Sequence, residues 1–189
     1  MYPVHIDFPD SFETPRLLIR APRPGDGPSF NAAVRDSWPE LRPWLAFAAG
    51  DVPSVAESET RMRTAHQSFL ARQDLMLLLW LKGSDIIVGS SGLHRIDWQI
   101  PRFEIGYWAR TNYAGQGYIT EAVAGIARFA FDVLGARRLE IRCDRRNERS
   151  AAVPRRLGFV HEATLHNNCR HHLTNELGDT LIFARTQPD

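Results

Sequence analysis

The sequence predicts an α+β fold in a single domain, and three observations carry that prediction. Strand-like runs and helical stretches are mixed along one continuous chain of 189 residues. No internal repeat, low-complexity tract or linker divides it. The longest apolar run, residues 75–81, suits a strand buried on both faces and is far short of the roughly 20 residues that cross a bilayer. We therefore expect an N-terminal leader at residues 1–12 and one domain over residues 13–186.

The elements of the first half of the chain each have a local signal. Residues 16–20 form a β-branched and apolar run that is closed by a Pro-Gly-Asp turn, as in a first strand. Asp26 or Ser29 can then cap a helix, which Pro39 is expected to end. Ser54 opens a second helix, whose apolar residues keep a helical period.

The second half supplies most of the strands. They are predicted at residues 75–81, 86–93, 103–108, 139–143, 160–165 and 180–184. A Lys-Gly-Ser-Asp turn makes a hairpin of the first two. A glycine-bearing turn leads into a long helix over residues 120–134, and a short helix over residues 150–157 ends at Gly158. The total is about seven strands and about four helices.

Composition excludes several classes of function. The 23 Lys and Arg residues are balanced by 22 Asp and Glu residues, so nucleic acid is not expected as the main partner. Cys143 and Cys169 are too few for a secreted disulfide framework. The N-terminus lacks the basic start and apolar stretch of a signal peptide. We expect a cytoplasmic protein that has no membrane partner and is a monomer or homodimer.

A loop with two glycines joins the predicted strand at residues 103–108 to the long helix. Gly115 and Gly117 let the backbone approach a ligand closely, and the free N–H groups of the following helix attract an anion such as a pyrophosphate. Taken alone, the same glycines could simply shape a tight turn. The loop matches neither common nucleotide fingerprint, because a Gly-Lys-Ser/Thr triplet and a third glycine are both missing.

Further motifs follow that loop in the chain, and their order indicates what the loop binds. After residues 114–122 come Asn147, Ser150 and a Leu-Gly-Phe triplet at residues 157–159. This series resembles the GNAT superfamily of acetyl-CoA-dependent N-acetyltransferases. The opening at residues 13–20 and the strand at residues 104–108 are similar to its RimJ/RimL-type, ribosomal-protein N-terminal acetyltransferase branch. The resemblance spans almost the whole chain.

The resemblance implies a GNAT fold with a central mixed, mostly antiparallel sheet, and acetyl-CoA as co-substrate. The residues that it assigns to the cofactor are Tyr107, Trp108, Ala109, Ala114, Gly115, Gln116, Gly117, Tyr118, Ile119, Thr120 and Asn147. Asn147 is expected to order the pantetheine arm or a water, although it could equally cap the following helix.

The chain departs from the family pattern at two places. Ala114 and Ile119 differ from the usual pyrophosphate loop, but we expect binding to survive because backbone N–H groups do most of the work there. Pro154 stands where many members carry the tyrosine that protonates the leaving thiolate. Ser150 then becomes the leading general acid. Because Pro154 removes one helical hydrogen bond, the short helix should start late or bend.

Acetyl transfer to an amine also needs a base, because an ammonium has no lone pair. Glu104 is the first candidate, on the strand before the loop, although it could instead be a solvated residue paired with Arg102 or another cation. Asp97 is the second candidate and His94 the third. The resemblance places the oxyanion against a backbone N–H of residues 106–108, where the family has a bulge.

Three further groups of residues bear on the chemistry. The histidines near Cys169 match no tetrahedral zinc spacing, so no metal is expected. Cys143 is disfavoured as a covalent nucleophile because no histidine stands beside it in the sequence. Arginines crowd the predicted cofactor cleft and suit the phosphates of coenzyme A; they are Arg137, Arg138, Arg142, Arg145, Arg146, Arg149, Arg155 and Arg156.

The leading interpretation is an N-acetyltransferase that moves acetyl to a primary amine by direct transfer in a ternary complex, with a protein or peptide N-terminus as a candidate acceptor. The alternatives are a small-molecule amine, such as an amino acid, polyamine or antibiotic, and a non-catalytic acyl-CoA-binding module. An aromatic loop with Trp38, Trp44 and Phe47 is expected to form the acceptor wall together with the second helix.

Overall fold

A computed structural model describes residues 7–186 as one eight-stranded sheet with four α-helices. The strands are β1 (Ser11–Glu13), β2 (Leu17–Arg20), β3 (Leu75–Leu81), β4 (Ile87–Asp97), β5 (Arg102–Ala109), β6 (Arg138–Asp144), β7 (Val160–Arg170) and β8 (Leu177–Arg185). The helices are α1 (Gly27–Leu41), α2 (Val55–Leu70), α3 (Tyr118–Asp132) and α4 (Glu148–Arg156). No helix between residues 7 and 186 has both the length and the apolarity to cross a membrane.

The sheet runs in the order β1-β2-β3-β4-β5-β6-β8-β7, and every neighbouring pair is antiparallel except β5 and β6. Those two strands are parallel and pair only from Arg102 opposite Arg138 to Glu104 opposite Glu140. Beyond this point both strands continue without pairing to each other. The mixed, mostly antiparallel sheet is confirmed. Beyond Glu104 and Glu140 an opening separates β5 from β6, and this opening is the mouth.

Both faces of the sheet are covered, and the apolar run of β3 is buried on both of them. Leu77 and Leu79 pack into the core on one face, and Leu78 and Trp80 pack on the other face against α1. The first core includes α3 and α4, and the second includes α1 and part of α2. The prediction that residues 75–81 form a strand buried on both faces is confirmed.

The structure adds to the expected elements at the N-terminus. Residues 11–13 form β1, which pairs with β2, and Phe8 is buried in the core. Packing therefore reaches back into the stretch described above as a leader.

The prolines do not set the helix bounds that the sequence predicts. Helix α1 continues through Pro39 to Leu41. Helix α4 starts at Glu148, earlier than expected, because the Asn147 side chain accepts the backbone N–H of Ser150 (3.0 Å) and caps it.

Candidate active site

The mouth between β5 and β6 connects the two faces of the sheet. From Ile105 onward β5 loses its partner on the β6 side, so its backbone groups there point into the opening rather than into a ladder. These free groups lie where the oxyanion was expected. The expected bulge is not there, because β4 and β5 pair in continuous register from Gly89–Ala109 to His94–Glu104. The register shift lies between His94 and Asp97 instead.

The glycine loop ends at a helix start that is open to solvent. Gly115 and Gly117 both have a left-handed backbone, with φ of 76° and 81°, and Gly117 is the N-cap of α3. The first backbone hydrogen bond of the helix runs from the Glu121 N–H to the Gly117 oxygen (3.0 Å). The N–H groups of residues 118–120 therefore precede any helical partner and can hold an anion.

Arg16 braces this loop, although no sequence motif identifies it as a site residue. Its Nη1 donates to the Gln116 carbonyl (2.9 Å), its Nε donates to Glu121 (2.5 Å), and its guanidinium lies over the Tyr118 ring (4.3 Å). Its Nη2 lies near Gly117, 3.4 Å from where a Cβ would stand. Arg16 thus supplies a cation at a loop whose first position is Ala114. The signal was present in the opening at residues 13–20, but nothing in the sequence shows that this segment meets the loop.

Ser150 lies on the cofactor side of the mouth, against Tyr107. Ser150 Oγ donates to the Tyr107 hydroxyl (3.3 Å), which donates to the Ser150 carbonyl (2.8 Å). That carbonyl is the one that Pro154 leaves without a helical donor, since the missing N–H is four residues on. Burial raises the pKa of Tyr107 above its usual range, so the hydroxyl keeps its proton.

Cys143 lies on β6 beside this pair, half-buried. Burial raises the pKa of its thiol to about 11, so it is protonated at neutral pH. A protonated thiol is a poor nucleophile, which agrees with the expectation that Cys143 carries no acyl group.

The opposite face of the sheet presents charged side chains at the mouth. Glu104 lies 3.5 Å from Arg95 and 3.9 Å from Arg142, and burial raises its pKa against the pull of these arginines. His94 is directly across from Glu104, and its Nδ1 is 2.7 Å from Asp74 Oδ2. These groups are in a position to meet an amine that enters from this face.

Asp97 is not brought to the mouth. Its Oδ1 accepts the backbone N–H groups of Gln99 and Ile100, and its other oxygen is 3.8 Å from Arg102. It therefore closes the β4–β5 turn, at the paired end of the strands.

The wall above this face comes from α1, α2 and the loop between them. A cavity of about 370 Å³ is lined by Phe30, Trp38, Phe47 and Arg61, among others. Trp38 is buried and Trp44 is 40% exposed, so only part of the expected aromatic loop faces solvent.

The β7–β8 hairpin reaches over to the same loop. His171 Nε2 is 2.9 Å from the Pro43 carbonyl, and His172 Nε2 is 2.8 Å from the Arg42 carbonyl. Among residues 7–186 no three His, Cys, Asp or Glu side chains come together as a metal site would require.

Comparison with known proteins decides the family. The family model described as an acetyltransferase (GNAT) domain matches residues 16–160. The chain belongs to the GNAT acetyltransferase family. The expected acetyl-CoA-dependent N-acetyltransferase and its co-substrate are thereby confirmed.

Individual relatives of this GNAT domain agree with the RimJ/RimL-type branch. It is 29% identical over 160 residues to the putative ribosomal N-acetyltransferase YdaF of Bacillus subtilis, covering 82% of this chain and 86% of that one. It is 26% identical over 130 residues to the ribosomal-protein-serine acetyltransferase of Escherichia coli, covering 69% and 72%. In fold it is similar to the microcin C7 self-immunity acetyltransferase MccE, solved with acetyl-CoA and AMP, with a TM-score of 0.85, 20% identity and coverage of 95% and 98%.

Proposed function

We propose that this GNAT domain acetylates the α-amino group of a protein or peptide by direct attack on bound acetyl-CoA. The observation that carries the proposal is the mouth between β5 and β6. It joins the glycine loop and Ser150 on one face to the open, charged face of Glu104 and His94 on the other. A thioester held from the first face is thus open to an amine arriving from the second.

Chain residues can supply each part of the cofactor's binding. The N–H groups of residues 118–120 and Arg16 would hold the pyrophosphate. Backbone groups of residues 107–109 would hold the pantetheine arm and the acetyl oxygen. Asn147 Oδ1 accepts the hydrogen bond that caps α4, and its side-chain amide N–H groups would donate to the pantetheine arm. Acetyl-CoA itself supplies the activated acyl group.

The reaction needs two proton transfers in addition to bond exchange. The amine nitrogen attacks the carbonyl carbon and loses one proton to a base on the acceptor face. The C–S bond then breaks, and the thiolate takes a proton from Ser150 Oγ, which regains one from solvent. The hydrogen bond between Ser150 Oγ and the Tyr107 hydroxyl holds the serine at this place. Because the Cys143 thiol is protonated, an acyl-enzyme has no ready nucleophile, and a ternary complex suffices.

The names of two relatives favour a protein terminus as acceptor: one is a putative ribosomal N-acetyltransferase and the other is a ribosomal-protein-serine acetyltransferase. Such an acceptor belongs in the cytoplasm, where we expect the enzyme to work.

The cavity between α1 and α2 favours a second candidate, a small amine with an apolar body. Phe30, Trp38 and Phe47 would contact that body, and a volume of about 370 Å³ is in the range of small-molecule pockets.

The test is release of free thiol from acetyl-CoA by the purified chain. Two synthetic peptides that begin with Ser and Ala are compared with the same peptides carrying a blocked N-terminus, and with spermidine and free amino acids. The proposal expects release with the open peptides only, and one added acetyl group at their N-termini by mass spectrometry. Equal release with blocked peptides, or release with small amines alone, would overturn it. Tight acetyl-CoA binding without release would favour the non-catalytic module.

A further inference from the structure

We propose that His94, oriented by Asp74, is the base that takes the proton from the attacking amine. This inference rests on the proposed function and adds the residue that the amine must meet. In the sequence His94 is only the third candidate, because a lone histidine on a strand carries no sign of a partner.

The structure supplies that partner. His94 Nδ1 is 2.7 Å from Asp74 Oδ2, although the two residues are 20 positions apart in the chain. A carboxylate only accepts hydrogen bonds, so Nδ1 carries the proton and Nε2 keeps a free lone pair. Within the described part of the chain no hydrogen bond involves Nε2.

Two glycines make room for the ring at the mouth. A Cβ on Gly106 would lie 3.1 Å from His94 Cδ2 and 3.3 Å from Nε2, and one on Gly92 would lie 3.0 Å from Cε1. The imidazole therefore lies close over the backbone of β4 and β5. Gly106 is two residues beyond Glu104, the last residue of β5 that pairs with β6. Nε2 thus stands at the start of the opening, on the acceptor face.

Glu104 is less suited to be the proton acceptor. Burial raises its pKa on balance, but its carboxylate lies 3.5 Å from Arg95 and 3.9 Å from Arg142, so an incoming amine must compete with two guanidinium groups for it. Beside His94, a negative Glu104 stabilises the imidazolium that forms during attack. We assign Glu104 this supporting charge and His94 the proton.

The charged groups around the dyad come from four elements. Asp74 precedes β3, Glu104 lies on β5, Arg95 follows His94 on β4, and Arg61 of α2 interacts electrostatically with Asp74. The negative charges of Asp74 and Glu104 attract an imidazolium at His94, and the positive charges of Arg61 and Arg95 repel it. The side chain of His94 is 33% exposed and that of Asp74 42%, so the proton can pass on to water.

The step balances without a further reactant. As the C–N bond forms, Nε2 takes one proton from the nitrogen and His94 becomes an imidazolium. The C–S bond then breaks and the thiolate is protonated from the other face. The imidazolium returns its proton to solvent, and Ser150 regains one from solvent, so both groups are restored.

The first measurement does not depend on turnover. Long-range ¹H–¹⁵N NMR spectra of the histidine rings report which nitrogen carries the proton, and the signals missing from His94→Gln assign His94. We expect an Nδ1-protonated ring with a bare Nε2 near pH 8, and loss of this preference in Asp74→Asn. A ring protonated at Nε2 in the wild-type protein would overturn the proposal.

The second measurement is acetyl transfer to the Ser- and Ala-initiated peptides. His94→Gln should lower kcat about 10²- to 10³-fold and Asp74→Asn about 10-fold, with the Kd for acetyl-CoA within about twofold of wild type. His161→Gln is the matched control, since His161 lies on β7 against Phe183, and it should retain wild-type activity.

The pH profile of kcat separates a base from a structural contact. With saturating peptide, the acidic limb of the wild-type profile should vanish in His94→Gln and persist in Glu104→Gln. The reverse pattern would return the role to Glu104 and overturn the dyad while leaving the proposed function intact. A wild-type protein that acetylates no probe would overturn the proposed function, and the base role with it.

Discussion

Removing the hydroxyl of Tyr107 should destabilise the fold, because the Ser150 carbonyl would lose its hydrogen-bond donor. Pro154 cannot donate a hydrogen bond, so the Ser150 oxygen depends on the Tyr107 hydroxyl (2.8 Å) instead of a helical N–H. Tyr107→Phe deletes this donor and keeps the ring. The same hydroxyl also accepts from Ser150 Oγ (3.3 Å), so the change frees the proposed general acid as well.

The magnitude follows from the loss of a neutral hydrogen bond and the cost of the carbonyl left behind. The bond itself contributes about 1 kcal/mol, and an unsatisfied buried acceptor costs about 1–3 kcal/mol. Both residues are half-buried, so water can reach the oxygen in part and the lower end applies. We expect Tyr107→Phe to cost about 1.5 kcal/mol of unfolding free energy.

A double-mutant cycle with Pro154→Ala tests whether the Ser150 carbonyl causes the loss of stability, and not only how large the loss is. Alanine restores an N–H four residues after Ser150, so the carbonyl regains a helical donor. In that background the loss of the Tyr107 hydroxyl should cost only about 0.5 kcal/mol, a coupling of about 1 kcal/mol. Urea unfolding followed by tryptophan fluorescence measures all four proteins. An equal cost of Tyr107→Phe in both backgrounds would refute the reasoning.

Three further predictions concern the cofactor side. Gly117→Val should weaken acetyl-CoA binding at least about 10-fold in calorimetry, because its left-handed backbone disfavours a β-branched residue by roughly 1–2 kcal/mol and the new side chain crowds Arg16; unchanged affinity would remove the loop from the binding site. Ser150→Ala should lower kcat about 10²-fold with little change in acetyl-CoA Kd, and a large loss of affinity instead would reassign Ser150 to binding. Burial opposes ionisation of Glu121, but hydrogen bonds from Thr14 and Arg16 outweigh it and lower the pKa of Glu121. Glu121→Gln should therefore lower the free energy of unfolding near pH 7, and this loss should fade as the pH falls through the lowered pKa. Unfolding curves from pH 7 to pH 3 would contradict this if the difference stayed constant.

The fold was predictable because its signals are local. The apolar run at residues 75–81, the Ser54 cap and the turn before Ile87 each follow from neighbouring residues, and each is found in the structure. The helix bounds were mispredicted at prolines. A proline removes one helical hydrogen bond, but whether another donor replaces it depends on residues distant in the sequence. Helix α4 tolerates Pro154 because Tyr107, which is distant in sequence, donates to the freed carbonyl.

The site was predictable only where the family motif is contiguous. Residues 114–120 run without interruption from the glycine loop into the first turn of α3, so the sequence could identify them together. Arg16 reaches that loop across the fold, and Asp74 reaches His94 across a hairpin, so no spacing rule joins either pair. These long-range contacts depend on strand register, which a single sequence does not fix.

The glycines of β4 and β5 show that the sheet gives up stability to form its site. Glycine is unfavourable inside a strand, yet these two strands carry three of them. A Cβ on Gly89 would stand 2.3 Å from the Trp108 oxygen, and one on Gly92 would stand 2.6 Å from the Leu75 oxygen. Gly106 has only the imidazole of His94 above it. Gly89 and Gly92 permit close approach of strands, and Gly92 also leaves room for the ring. Gly106 serves the ring alone, so Gly106→Ala should move His94 and disturb acetyl transfer more than stability.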